Sequence, residues 1–317
     1  MFYLWWTRGR DPEGRGTVIT QFDAPDKLSP LEIGTLIDEK ANDGDLSAQL
    51  IYLATTGYLD ITKVDSRKDY ILLKKKDLPD SAKEFDKEFF QKLFSNGKTQ
   101  VQLSTLKYKF ADTANKVRKL AYEALTKEGY FAGNPKKVRD FYIVLAIIIW
   151  IGSMIVAFKI QNIPLVISSF IGCLIIFIFG FFMPARTKKG VLAREHILGL
   201  KTYLNVAEKD RINFHNAPEK EPKLFEKLLP FAMVLGVEEV WAKQFTGIYD
   251  QEPNWYHSDI KSYSAVALAN RLIDFKSVST NNLTAVRSSG GAGVGRSGFG
   301  GGGFSGGGFG GGGGGSW

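Results

Sequence analysis

The stretch Phe141-Tyr-Ile-Val-Leu-Ala-Ile-Ile-Ile-Trp-Ile-Gly-Ser-Met-Ile-Val-Ala-Phe158 runs 18 residues without a charge. As a helix rising 1.5 Å per residue it covers roughly 27 Å, just enough for the hydrocarbon core of a bilayer. After Lys159–Asn162 the stretch Ile163-Pro-Leu-Val-Ile-Ser-Ser-Phe-Ile-Gly-Cys-Leu-Ile-Ile-Phe-Ile-Phe-Gly-Phe-Phe-Met183 adds 21 more uncharged residues. Pro164 falls in the first turn, where a missing N–H costs little. So short a link permits only an antiparallel pair, because in lipid each backbone must satisfy its own hydrogen bonds. The reading is a transmembrane helical hairpin over 141–183, with spans 141–158 and 163–183, in a mainly α membrane protein.

The charges just outside the pair set its expected orientation. Lys136, Lys137 and Arg139 precede it and Arg186, Lys188, Lys189 and Arg194 follow it, whereas the connecting loop holds only Lys159. Cations accumulate on the cytoplasmic side, so a multi-pass protein of the cell membrane with both soluble regions in the cytoplasm is expected. Elsewhere the formal charge of +8 is spread thinly: residues 1–140 carry 24 Lys and Arg against 21 Asp and Glu, and residues 186–317 carry 16 against 12. Neither part is basic enough to suggest a general polyanion binder. The single cysteine, Cys173, lies inside the second apolar run, which excludes a disulfide framework and a cysteine-based zinc site.

Residues 1–27 read as a membrane-proximal leader. Met1-Phe-Tyr-Leu-Trp-Trp6 is too short to span, but its aromatic end followed by Arg8 and Arg10 resembles the last turn of a transmembrane helix reaching the cytoplasm.

Residues 28–78 read as a winged-helix-like α+β module. Ser29-Pro30-Leu31-Glu32 combines an N-cap, a proline at the first helical position and a capping-box glutamate. A second helix, Leu46–Thr55, stops at Gly57; the alternating run Tyr58–Val64, a turn at Asp65–Asp69 and the run Tyr70–Lys74 then predict a two-stranded wing. Residues 79–135 read as a second such module: a helix over Phe85–Phe94, an extended piece at Val101–Leu103, and a helix over Ala111–Lys127 ending in Gly129-Tyr130-Phe131, which echoes Gly57-Tyr58-Leu59. Its wing is missing or replaced by Asn134-Pro135 and the membrane.

Winged helices often bind DNA, but major-groove readout needs Arg, Lys, Asn or Gln on the exposed face of the reading helix. Leu46–Thr56 offers only Gln49, behind Asp43 and Asp45. Lys107, Lys109, Lys116, Arg118 and Lys119 form a better basic cluster, one that an anionic inner leaflet would attract equally well. Contact with protein or lipid is therefore favoured over nucleic acid.

Residues 186–285 read as a helical cytoplasmic region. Val191–Asp210 places Leu192, His196, Gly199, Leu200, Tyr203, Leu204 and Ala207 on one stripe, with His196 expected in the core. Pro222–Phe245 resumes helical spacing, with Pro230 as a break or kink. His215 and His257 have no partner at metal spacing, and a helix is expected near Ala265–Phe275. Residues 286–317 read as a disordered tail: from Gly290 on, 18 of the chain's 34 glycines surround isolated Phe299, Phe304 and Phe309 before Trp317. These aromatics are candidate contact points for a partner or for self-association. Gly293-Val-Gly295-Arg-Ser-Gly298 matches the dinucleotide fingerprint only formally, with no strand before it and no helix after it.

No paired nucleophile and base, phosphate loop or metal cluster is legible, so no catalytic, cofactor-binding or metal residue is assigned and no cofactor or enzymatic activity is expected.

Taken together, Trp5-Trp6-Thr-Arg8-Gly9-Arg10-Asp11-Pro12, Leu28-Ser-Pro30-Leu-Glu32-Ile-Gly34, Leu50–Leu59 with Gly57-Tyr58, the hairpin, Leu228-Leu-Pro230-Phe-Ala-Met-Val-Leu235-Gly236 followed by Trp241, and the glycine-rich end closed by Ser316-Trp317 resemble the carboxy-terminal part of the YciQ-like family of bacterial predicted membrane proteins, a domain of unknown function. The resemblance implies an upstream part with a signal peptide, an extracytoplasmic β-rich domain and a transmembrane helix ending near Trp6. It implies no activity. The functional expectation is a cytoplasm-facing interaction or assembly scaffold anchored in the lipid bilayer; the alternative is a membrane-tethered DNA-binding regulator.

Overall fold

The structure is a computed structural model that describes residues 1–64, 68–206, 221–249, 251–258 and 263–287. The chain opens with α1 (Phe2–Leu4), a single turn that continues into the π-helical turn Trp5–Gly9. Ser29 then starts α2 (Pro30–Asp38), where the Glu32 carboxylate accepts the Ser29 N–H at 2.8 Å. The helix ends at Glu39 in the left-handed region, φ 55°. Asn42 starts α3 (Asp43–Thr55) in the same way, its N–H bonded to the Asp45 carboxylate at 2.8 Å. Each carboxylate covers an N–H that the first turn would otherwise leave without a partner.

Gly57, at φ 78°, turns the chain out of α3, and the Tyr58 N–H closes back on the Leu53 carbonyl at 2.9 Å. Two strands follow, β1 (Leu59–Val64) and β2 (Asp69–Lys74), antiparallel with Leu59 opposite Lys74. Next come α4 (Glu84–Leu93), β3 (Gln100–Gln102) and α5 (Ala111–Lys127). β3 pairs antiparallel with β2, so a sheet joins the two modules that the sequence divides at residue 78. β4 (Tyr256–His257) adds a parallel partner to β1 from almost two hundred residues downstream, giving the order β3-β2-β1-β4.

Two long apolar helices interrupt this body. α6 (Pro135–Ile160) starts well before Phe141, capped by the Asn134 side chain, and α7 (Ile163–Phe182) follows after only Gln161 and Asn162. They meet through small residues, with Ala146 and Ala157 buried and Gly180 set against Tyr142 so closely that a Cβ there would lie 2.9 Å from the Tyr142 Cβ. Of their most apolar 18-residue windows only 11% and 6% is buried, and Phe141, Ile148, Phe158, Ile163 and Phe182 are all exposed.

α8 (Lys188–Asn205), α9 (Pro222–Leu235), α10 (Glu238–Lys243) and α11 (Ala265–Thr284) return to the body. α8 does not continue directly from α7; an extended segment at 184–187 separates them. Its buried face includes Val191, Ala193, Ile197, Leu200, Tyr203 and Leu204; His196 lies at the rim, within 3.1 Å of the Asp23 carbonyl, instead of in the core. Pro230 neither breaks nor ends α9, which runs to a left-handed cap at Gly236, φ 68°. The helix expected near Ala265–Phe275 extends to Thr284 and packs on α3 through Ser47, whose Oγ lies 2.7 Å from Ser279 Oγ.

The core that results is continuous, from Leu31 and Leu50 through Phe85 and Phe89 to Trp241 and Phe275. α3 is its axis, touched by α2, α9, α11 and β1, and nine of its thirteen residues are buried. Met1–Val286 makes one compact unit; Arg287–Trp317 is the other, of which only Arg287 is among the described residues. Phe299, Phe304, Phe309, Trp317, the formal glycine fingerprint, Ala207 and His215 lie outside the described residues.

Candidate functional site

The residues that connect the apolar pair to the body meet at one junction. Gly129, at φ 79°, repeats the turn made by Gly57, with the Tyr130 N–H bonded to the Leu125 carbonyl at 2.9 Å. Leu59 leaves the first turn into a strand, and Phe131 leaves the second into an antiparallel bridge with Arg186. The bridge is flanked by Ala132 N–H to Ala185 O and Thr187 N–H to Tyr130 O, both 3.0 Å. The two apolar helices thus depart and return through adjacent backbones.

Arg186 is buried, and all of its guanidinium donors have acceptors. Nε and Nη2 bond the Leu36 carbonyl at 3.0 and 2.8 Å, and Nη2 also bonds the Ile37 carbonyl at 2.8 Å. Nη1 reaches Asp11 Oδ2 at 2.9 Å and Glu39 Oε1 at 2.5 Å, while the Arg186 N–H donates to Asp11 Oδ1 at 2.7 Å. The side chain caps the last turn of α2, where carbonyls point outward and cations are favoured, and ties in the leader through Asp11. Burial raises the Glu39 carboxyl above its ordinary value even beside Arg186, and Asp11 adds to the rise.

Around this centre five of the other flank cations are engaged as well. Arg139 is buried, with Nη2 3.3 Å from the Glu39 carbonyl. Lys188 Nζ donates to the Glu13 carbonyl, and Lys189 Nζ bonds the Glu128 carbonyl at 3.0 Å while lying 4.1 Å from the Tyr130 ring centre. Lys136 pairs with Asp140 at 2.8 Å on the exposed start of α6, and Lys137 is 3.9 Å from Glu123. Arg139 and Arg186, which read from sequence as flank charges, are therefore structural; a charge run looks the same in sequence whether it is solvated or folded inward. Gly190 belongs to the junction too, because a Cβ there would lie 1.9 Å from the Tyr130 carbonyl oxygen.

A second polar group lies beneath the core, where α2, α3 and α4 converge. Gln49 Nε2 donates to Asp86 Oδ1 at 2.7 Å and its Oε1 accepts the Leu31 N–H at 3.1 Å; Lys83 Nζ binds Glu32 Oε1 at 2.5 Å. Burial pushes Asp86 up to about 7 and also raises Glu32, in spite of Lys83. Asp45, buried against α2, is likewise pushed up to about 7 by burial. Gln49, the one groove-reading candidate on α3, is fully buried and already committed to these partners.

Several cations of the basic cluster at 107–119 have partners within the chain. Lys116 pairs with Glu88 at 2.8 Å, Arg118 binds Asp43 and Asn115, and Lys107 lies 5.2 Å from the Tyr108 ring centre. Lys109 and Lys119 are both exposed. No group of three or more His, Cys, Asp or Glu that could hold a metal occurs among the described residues. A cleft of about 550 Å³ beside Tyr52 and Phe231 contains Glu226, but that carboxylate is taken by the Tyr249 hydroxyl at 2.8 Å and the Trp255 Nε1–H at 2.7 Å.

Two exposed helices at this junction are long and apolar enough to cross a membrane. Residues 19–245 match the family described as "Predicted membrane protein (DUF2207) C-terminal domain", and the chain belongs to that family. Neither a curated protein nor a solved structure matches it. β4 and α11 lie beyond the matched residues, yet they complete the sheet and cover α3.

Proposed function

We propose that the chain is the membrane-anchored part of a multi-pass protein in which α6 and α7 cross the bilayer as a hairpin and the remaining body is a cytoplasmic platform for assembly with protein partners. One observation carries this reading: two adjacent helices of spanning length keep their apolar side chains outside an otherwise well-buried body, at a cost that only a non-aqueous surrounding removes. The tight Gln161–Asn162 link supports a hairpin. Exposed Arg10, Lys136 and Lys137 near its base support a cytoplasmic body.

The order helix, helix, β1, β2 supports a winged-helix-like reading of residues 28–78. In residues 79–135 the matching positions are α4, β3, α5 and the Phe131 bridge, with the apolar pair inserted where a wing would turn. Burial of α3 turns the first module away from base reading. With the chemistry of Glu226, Glu32 and Asp86 taken up by internal partners, the platform acts by binding and not by catalysis.

Topology is tested with single cysteines in a Cys173→Ser background. An impermeant maleimide should label Asn162→Cys in intact cells and Lys98→Cys only after permeabilisation; the opposite pattern would overturn the orientation. Affinity capture with and without residues 290–317 tests the platform. Loss of specific partners on truncation is expected, whereas no specific partner with either form contradicts assembly.

A further inference from the structure

The junction contains a cavity that nothing in its own packing fills. It has a volume of about 420 Å³ and lies between the leader, the start of α6 and the end of α7. Arg8 and Lys137 face it from opposite elements, while Val138, Phe141, Tyr142 and Met183 supply apolar walls. No acidic side chain lines it among the described residues. The Arg8 side chain makes no ion pair or hydrogen bond among the described residues, and Lys137 pairs there only with Glu123, at a weak 3.9 Å with both groups well exposed.

The position of the cavity narrows its occupant. Phe141 and Phe182 mark the ends of the exposed apolar surface, and exposed Phe2, Tyr3 and Trp6 of the leader belong to the aromatic belt expected at a lipid–water boundary. The leader is fixed against α7 here, since a Cβ on Gly9 would lie 3.1 Å from both Met183 Cα and the Phe182 carbonyl oxygen. The floor is therefore apolar and continuous with the lipid-facing helix surface, and the rim is cationic on the proposed cytoplasmic side. A free anion would use only the rim.

We propose that this cavity binds one anionic phospholipid of the inner leaflet, with its phosphate between Arg8 and Lys137 and its first methylenes along Val138, Phe141 and Tyr142. The proposal rests on the hairpin reading above and deepens it by naming a ligand. A guanidinium forks onto two phosphate oxygens, an ammonium adds a point charge, and each basic group near a membrane surface contributes about 1 kcal/mol toward anionic lipid. Two such groups correspond to about a 30-fold preference for anionic over zwitterionic lipid.

The test uses the full chain purified in detergent, with native mass spectrometry of bound phosphatidylglycerol against phosphatidylcholine. The wild type should retain phosphatidylglycerol with about that preference. Arg8→Gln/Lys137→Gln should lose most of it, whereas Lys92→Gln/Lys98→Gln, exposed cations in another part of the body, should keep it. Val138→Trp fills the apolar wall without changing charge and should abolish retention as well. Equal preference in the wild type and the Arg8/Lys137 variant would overturn the site, as would retention by Val138→Trp or displacement of the lipid by equimolar inorganic phosphate. Extraction of the chain from membranes by alkaline carbonate would instead remove the hairpin reading itself, so the two failures are separable.

Discussion

Arg186 Nη1 stands 2.5 Å from Glu39 Oε1, joining the residue that returns from the apolar pair to the residue that ends α2. The two are 147 positions apart in sequence, and the contact closes a loop that contains both long helices. Because the same guanidinium also holds two α2 carbonyls and Asp11, its removal strands several buried groups at once.

Arg186→Ala should therefore destabilise the chain by about 3 to 5 kcal/mol, the range for breaking a buried pair on one side only. Arg186→Lys should recover a minor part, since an ammonium has three donors and cannot fork across carboxylate and carbonyls. Chemical denaturation in detergent followed by tryptophan fluorescence measures both. A change below about 0.5 kcal/mol for Arg186→Ala, the level of an ordinary surface substitution, would show that the junction carries little load.

Gly190→Ala places a methyl on the Tyr130 carbonyl, which is fixed backbone and cannot swing aside. The expected cost is about 1 to 3 kcal/mol, typical of overpacking. Gly152→Ala, with open space around its Cβ, should be nearly neutral, and the difference in melting temperature between the two variants reads the effect.

Asp45 and Asp86 give a pH dependence of definite sign. Both are pushed up to about 7 by burial, so between about pH 4 and pH 7 the folded state binds more protons than the unfolded one. Stability then falls as pH rises through that window, by up to about 1.4 kcal/mol per pH unit for each group. Asp45→Asn and Asp86→Asn should each flatten the profile, as measured by denaturant midpoints across pH. An unchanged slope in the double variant would refute the assignment.

Gln49 and Asp86 should behave as a coupled pair. Gln49→Leu leaves the Leu31 N–H and the Asp86 carboxyl without a partner and should cost about 1 to 3 kcal/mol. Adding Asp86→Leu should restore part of that loss, and a double-mutant cycle measures the coupling.

The local grammar of the chain was readable. Ser29-Pro30, Gly57, Gly129 and the uncharged runs around Trp150 and Cys173 announced caps, turns and membrane-length helices, because each signal is written within a few neighbouring residues. Long-range pairing was not readable. β4 is two residues long and has no periodicity of its own, so its place beside Ile61 depends on distant contacts, Trp255 with Glu226 on α9 and Ser258 with Arg271 on α11. Gln49 looked available because amphipathic spacing assumes one wet face, whereas α3 is enclosed by four neighbouring elements. Pro230 looked like a breaker, but packing on both sides holds α9 through it. The candidate lipid cavity left only a trace, in Arg8 and Lys137, which lie far apart in sequence.

The backbone bridge between Phe131 and Arg186 makes the intervening segment a cassette. Its two ends are already at hairpin spacing, so residues 134–183 are exchangeable for an Asn-Gly turn without moving either anchor. Shortened also by residues 1–9, which carry exposed aromatics and lose their contact with Phe182 and Met183, the chain should fold as a water-soluble body, open to crystallisation and solution NMR without any lipid substitute.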